Sequence, residues 1–176
     1  MEQLKDLTKR LIANSFKELL LQYSFEKITI KMITDHANVI RPTFYNHFHD
    51  KYELVEWLLC EEVLTGANDL IREKKDEDAV KCIFEGFFSD RDYYRKAFEI
   101  TGQNGFEEVL FARLSEFFRE WYLRDNEENQ RVGLISDYYA AGIITVIKFM
   151  LFDAEECDIN SIMDIYQHLV THNIYN

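Results

Sequence analysis

Apolar residues near the start of the chain recur mostly at three- and four-residue steps (Leu4, Leu7, Leu11, Phe16, Leu19, Leu20), with Lys5, Lys9, Arg10, Lys17 and Glu18 on the other face. That period predicts an amphipathic helix over about residues 3–22. Thr29 precedes the apolar pair Ile30 and Ile33 and can cap a second helix running to about Ala37. Asn38 tolerates the left-handed backbone of a tight turn, and Val39 after it is placed to tuck inward. Pro42 sets the start of a third helix, about residues 42–48, because proline suits a first helical position and disfavours helical angles at Arg41 before it. Phe44 and Phe48 share one face of that helix, which leaves Thr43, Tyr45, Asn46 and His47 pointing elsewhere. Asp50 is a natural cap for a fourth helix, from Lys51 to about Gly66, that serves as a strut.

Beyond the strut, Arg72 to Asp78 is polar and reads as a loose connection. Helices at about 78–89, 91–101 and 104–125 follow from runs such as Val80, Ile83, Phe84, Phe87 and Val109, Leu110, Leu114, Phe117, Phe118, with Gly102 and Gly105 marking a break. Two further helices, about 128–153 and 158–174, complete the chain, and no β alternation is sustained anywhere. The expectation is an all-α fold, a three-helix head at residues 1–50 followed by a helical body at 51–176.

Composition sharpens this division. The chain has 176 residues, 47% hydrophobic, with one proline and six glycines, which excludes a disordered or fibrous protein. Its formal charge is −12, yet residues 1–51 carry eight basic and six acidic side chains, so the head is near +2 and the rest −14. Only the head is suited to meet a polyanion. Three widely spaced cysteines (Cys60, Cys82, Cys157) and an N-terminus without an apolar run point to a reduced, cytoplasmic protein. The stretch Tyr138 to Phe152 reads as too short for a bilayer, so no membrane association is expected.

Two short helices joined by a tight turn, the second displaying polar residues, form the geometry that places a recognition helix in the major groove. Thr29-Ile30-x-x-Ile33-x-x-x-Ala37-x-Val39-x-x-x-Thr43-Phe44-Tyr45-x-His47-Phe48-x-x-Lys51-x-x-Leu54 closely resembles the N-terminal signature of the TetR/AcrR family of transcriptional regulators. Asn38 stands where the family usually has glycine, and Ile40 where it usually has serine, which removes a cap and a phosphate-facing hydroxyl. The resemblance implies groove-facing Arg41, Pro42, Thr43, Tyr45 and Asn46, with Thr29, His47 and Lys51 as clamps on the DNA backbone. Arg41 can fork onto a guanine edge or a phosphate, and Tyr45 can reach a phosphate or a thymine methyl. Thr29 is equally accounted for as a plain cap, whereas the intact motif favours Lys51 as a clamp over a plain surface charge.

The resemblance also implies a homodimer on a palindromic operator, more often a repressor than an activator, with affinity tuned by a small molecule through the body. Asp137 to Phe152 is apolar around most of its circumference and needs burial on two sides. Ala140, Ala141, Gly142 and Ile144 are the candidate dimer seam, against the alternative of a helix buried within one chain. Candidate effector-pocket residues are Phe84, Phe87, Tyr94, Phe98 and Phe111, although such aromatics are more often plain core. Length and the pattern Tyr138-x-x-x-Gly142-x-x-x-x-Ile147 are similar to short members of the family that include regulators of dihydroxyacetone kinase operons. In that subgroup a protein partner conveys the signal, which gives a second reading, a co-regulator that docks a partner through its acidic body.

Catalytic readings find little support. His168 with His172, and His47 with His49, lack a third ligand nearby in sequence, so neither metal nor cofactor is expected. Adjacent carboxylates such as Glu61 with Glu62 or Glu155 with Glu156 diverge around a helix, and no phosphate loop or nucleophile elbow occurs. An enzyme is not expected.

Overall fold

The computed structural model describes residues 2–153 and 158–171, and all its regular elements are helical. Cys157, Glu155, Glu156 and His172 lie outside the described residues, as does the side chain of His168. Packing divides the chain into two compact units, one of residues 1–60 and 92–109, the other of 61–91 and 110 onward. The segment 92–109 thus joins the head, and the border expected at residue 50 falls at residue 60.

In the first unit, α1 (Glu2–Leu20) buries Ile12, Ala13, Phe16, Leu19 and Leu20. Leu7 and Leu11, expected inside, are 64% and 47% exposed. The five-residue step from Leu11 to Phe16 turns the helix by roughly 140°, so those leucines leave the buried stripe. A single 3₁₀ turn, Phe25–Lys27, carries the chain into α2 (Ile30–His36). α3 (Arg41–Tyr45) and α4 (Lys51–Leu59) follow. Phe16, Phe25 and Tyr52 pack edge to face, and Phe44, Phe48 and Trp57 continue the same core. α7 (Arg91–Ala97) contributes fully buried Tyr93 and Tyr94. Gly102, at φ +91°, and Gly105 form the expected break. A Cβ on Gly105 would come within 2.9 Å of the Gly102 carbonyl, so the turn closes only around a glycine.

The second unit opens with a π-helical turn, Cys60–Leu64, which interrupts the strut expected to run unbroken to Gly66. α5 (Thr65–Arg72) and α6 (Asp76–Ser89) follow. The π turn faces Gly86 of α6, where an added Cβ would stand 3.2 Å from the Glu62 carbonyl oxygen. The connection expected to be loose is a tight cap: Lys74 takes φ 60°, with Lys75 N–H donating to the Leu70 carbonyl and Lys74 N–H to that of Ile71.

α8 (Phe106–Asp125), α9 (Val132–Lys148) with a π-helical extension Phe149–Asp153, and α10 (Ile159–Thr171) complete the chain. Val132–Asp153 spans 22 residues at mean hydropathy 1.5, so by length and composition it could cross a bilayer, contrary to the shorter stretch expected. One face of it packs within the unit through Ser136, Ala140, Ile143, Ile144, Ile147 and Met150. The opposite face, with Leu134 75% and Tyr138 70% exposed and Ala141, Gly142, Thr145, Phe149 and Phe152 beyond them, is left open.

Candidate nucleic-acid interface

Local chemistry fixes where α2 and α3 begin and end. The Thr29 hydroxyl accepts from Met32 N–H at 3.2 Å, the N-cap expected of it. At the other end of α2, Val39 N–H donates to the Thr34 carbonyl and Asn38 N–H to that of Asp35, the double bond of a Schellman cap. Asn38 sits there at φ 52°, a conformation asparagine tolerates better than most residues. Val39 is half-buried. α3 starts after Ile40, which makes no side-chain cap bond and leaves its own side chain 69% exposed, with Pro42 in the first turn.

α3 and the residues just beyond it are two-faced. Phe44 and Phe48 are buried, at 0% and 1% exposure, and lock the helix to the head. Arg41, Pro42, Tyr45 and Asn46 are exposed, and Thr43 and His47 half-buried. An Arg41 Nη2 N–H donates to the Tyr45 hydroxyl at 3.1 Å, and the guanidinium lies 5.6 Å from the centroid of the same ring. Arg41 and Tyr45 are therefore one ordered donor unit on the outer face, stiffened before any ligand arrives.

Lys51 is a correction. Expected to clamp phosphate, its Nζ turns inward, donating to the carbonyls of Phe25 at 2.5 Å and Ile28 at 3.1 Å, and it lies 4.0 Å from the Phe25 ring centroid. Burial pushes its pKa down, only partly offset by Glu26. The ammonium ties the start of α4, which Asp50 caps through Tyr52 and Glu53 N–H groups, to the turn before α2. Lys9 over Phe48 and Trp57, and Lys17 over Tyr93, are likewise held against rings. Lys27 and Lys31, which flank Thr29, are the exposed cations that sequence reasoning passed over. Their place on either side of the cap was the available signal.

The candidate residues of the body are also relocated. Ala140 and Ile144 are buried within their own chain, at 0% and 6% exposure, while Ala141 and Gly142 are exposed. Phe84 and Phe87 are core of the second unit and Tyr94 of the first, where Phe98 packs edge to face on Phe106. Phe111 is exposed. None of the five lines a cleft of the second unit that lies among Phe118, Trp121, Tyr122, Ile135, Tyr139 and Tyr166 beside Asp76, Arg124, Asp125 and Asn126.

A capped helix, a Schellman turn and a second helix anchored by two phenylalanines with its polar face outward define a helix-turn-helix DNA-binding head. Residues 17–58 match the family described as bacterial regulatory proteins, tetR family. A Lactococcus lactis protein described as the HTH-type dhaKLM operon transcriptional activator DhaS is 23% identical over 93% of this chain and 87% of its own. The fold is similar to that of a TetR-family transcriptional regulator of Syntrophomonas wolfei (TM-score 0.74, 17% identity, 97% of this chain and 99% of that one). It is similar as well to NalD of Pseudomonas aeruginosa, described as a secondary repressor of a multidrug efflux pump (TM-score 0.65, 15% identity, 94% and 95%). Residues 17–58 thus form a tetR-type DNA-binding head, and the fold of the whole chain is similar to that of transcriptional regulators that carry such a head.

Proposed function

We propose that the chain binds a palindromic operator as a homodimer, acting in the cytoplasm, with affinity set through its C-terminal helices by a small molecule. The observation that carries this reading is the outer face of α3, where the paired Arg41 and Tyr45 stand exposed while Phe44 and Phe48 hold the helix rigid. A bidentate Arg41 suits guanine, and the exposed Ile40 and the Tyr45 ring suit a thymine methyl. Thr43, Asn46 and His47 extend the contact surface, Pro42 fixes the first turn, and Thr29 with Lys27 and Lys31 lies where phosphates would run. The open face of α9 supplies the dimer seam, since Leu134, Tyr138, Phe149 and Phe152 stand exposed along one side of the helix, and apolar rows of this kind mark protein contacts. Ala141 and Gly142 lie in that seam, whereas Ala140 and Ile144 back it from within. Whether binding represses or activates follows from where the operator lies relative to the promoter, and the similar proteins bear both descriptions.

Tyr45→Ala tests the reading. The ring is 48% exposed, so helicity and melting should be unchanged. Specific affinity should fall by about 10- to 100-fold per half-site, as loss of a base-reading contact costs about 1–3 kcal/mol. Titration of labelled operator by anisotropy reads this directly, and wild-type affinity in the variant would remove α3 from the interface.

A further inference from the structure

The same cleft of the second unit, about 280 Å³, is built from the ends of several helices. Trp121 stacks on Phe118 of the same helix at 5.7 Å, and Tyr139 of α9 leans on Phe118 at 5.5 Å. Tyr166 of α10 adds a fourth ring. Its hydroxyl is pushed up to about 12 by burial and by neighbouring Tyr139, Asp76 and Glu77, so it stays protonated and neutral. Among the described residues the one cation in the lining is Arg124, and it has no donor to spare. Its Nη1 donates to the Ile71 carbonyl and Asp76 Oδ1, its Nη2 to Asp76 Oδ2 and Asp125, and its Nε to Asp125 Oδ2. All five N–H groups of the guanidinium are thus committed to tying α5, α6 and α8 together.

An incoming anion would meet carboxylates and ring faces with no free guanidinium donor. A cation meets aromatic faces, whose quadrupoles attract positive charge, inside a unit whose residues 61–91 and 110–176 carry ten basic and twenty acidic side chains. Lys74 lies outside the lining, paired with Asp125. The volume is just under the ~300–1,000 Å³ of pockets for drug-sized ligands, so the occupant is compact. We propose that this cleft is a binding site for a small organic cation, an amine or quaternary ammonium on an aromatic or branched apolar body. As an effector site it rests on the regulator reading above, but as a binding site it stands independently.

Calorimetric titration of the full chain with phenyltrimethylammonium, its near-isosteric neutral counterpart cumyl alcohol, and benzoate tests the proposal. The cation should bind about tenfold more tightly than the alcohol, benzoate should give no heat, and Tyr139→Ala and Trp121→Leu should each weaken the cation about tenfold. Tyr139 is 43% exposed, so its variant should keep the wild-type melting temperature. No binding of the cation at millimolar concentration, equal affinity for cation and alcohol, preference for benzoate, or full affinity in Tyr139→Ala would each overturn it. Operator titration in saturating cation separates the two readings. Binding without a change in operator affinity keeps the site and removes its effector role, while failure of operator binding altogether leaves the calorimetric result untouched.

Discussion

Lys51 shows how a side chain's partners decide its role. Its ammonium satisfies two carbonyls that arrive from 26 and 23 residues earlier in sequence, a contact no local spacing announces. Lys51→Met should therefore cost about 1–3 kcal/mol in chemical denaturation, the penalty for stranding partly buried acceptors. The salt dependence of operator binding should stay as in wild type, whereas a lost phosphate contact would lower the slope by about one. Asp76 gives a pH signature. Hydrogen bonds from Arg124 hold its carboxyl below the usual carboxylate range. Between the folded and unfolded pKa the unfolded chain binds more protons, so this stability is present above the unfolded value near 3.8 and is lost as pH falls through the folded one. Denaturation midpoints of wild type should drop more steeply below pH ~4 than those of Asp76→Asn, and parallel curves would contradict the pairing.

Elements were legible where a residue acts on its own neighbours. The Thr29 and Asp50 caps, Pro42 at the start of α3, the left-handed Asn38 and the break at Gly102 and Gly105 all act within a few residues, and all were readable. The inward pair Phe44 and Phe48 likewise exposed the outer face of α3 to sequence reasoning. The π turn at Cys60–Leu64 was not readable, because it meets Gly86 from another helix, and neither was the cap at Lys74, a residue type that disfavours positive φ. Aromatic count could not separate core from cavity: Phe84, Phe87 and Tyr94 are fully buried, while Trp121 and Tyr166, which the sequence did not single out, line a cleft. On α9 the period shows two apolar faces without saying which one the chain covers. Among the described residues, and apart from its own helix backbone, no atom lies within 4 Å of a prospective Cβ on Gly142. Gly142→Leu should hence fold normally yet sediment as a monomer, since a leucine there would overpack only a seam between copies. A dimer of wild-type strength would move the seam off this face.

At the scale of the molecule, the charge step between head and body agrees with a division of labour. A near-neutral head with Lys27, Lys31 and Arg41 exposed is suited to a polyanion, and an acidic body adds no non-specific grip. On the proposed reading, two heads related by a two-fold axis would read two half-sites about one helical turn apart, or a multiple of it. Selection of bound sequences from a random duplex library by the purified protein at moderate salt tests this most directly. A dimeric operator binder will enrich an inverted repeat with that spacing, and Tyr45→Ala will lose it. No enrichment, or a single asymmetric site bound equally well by the variant, would contradict that reading.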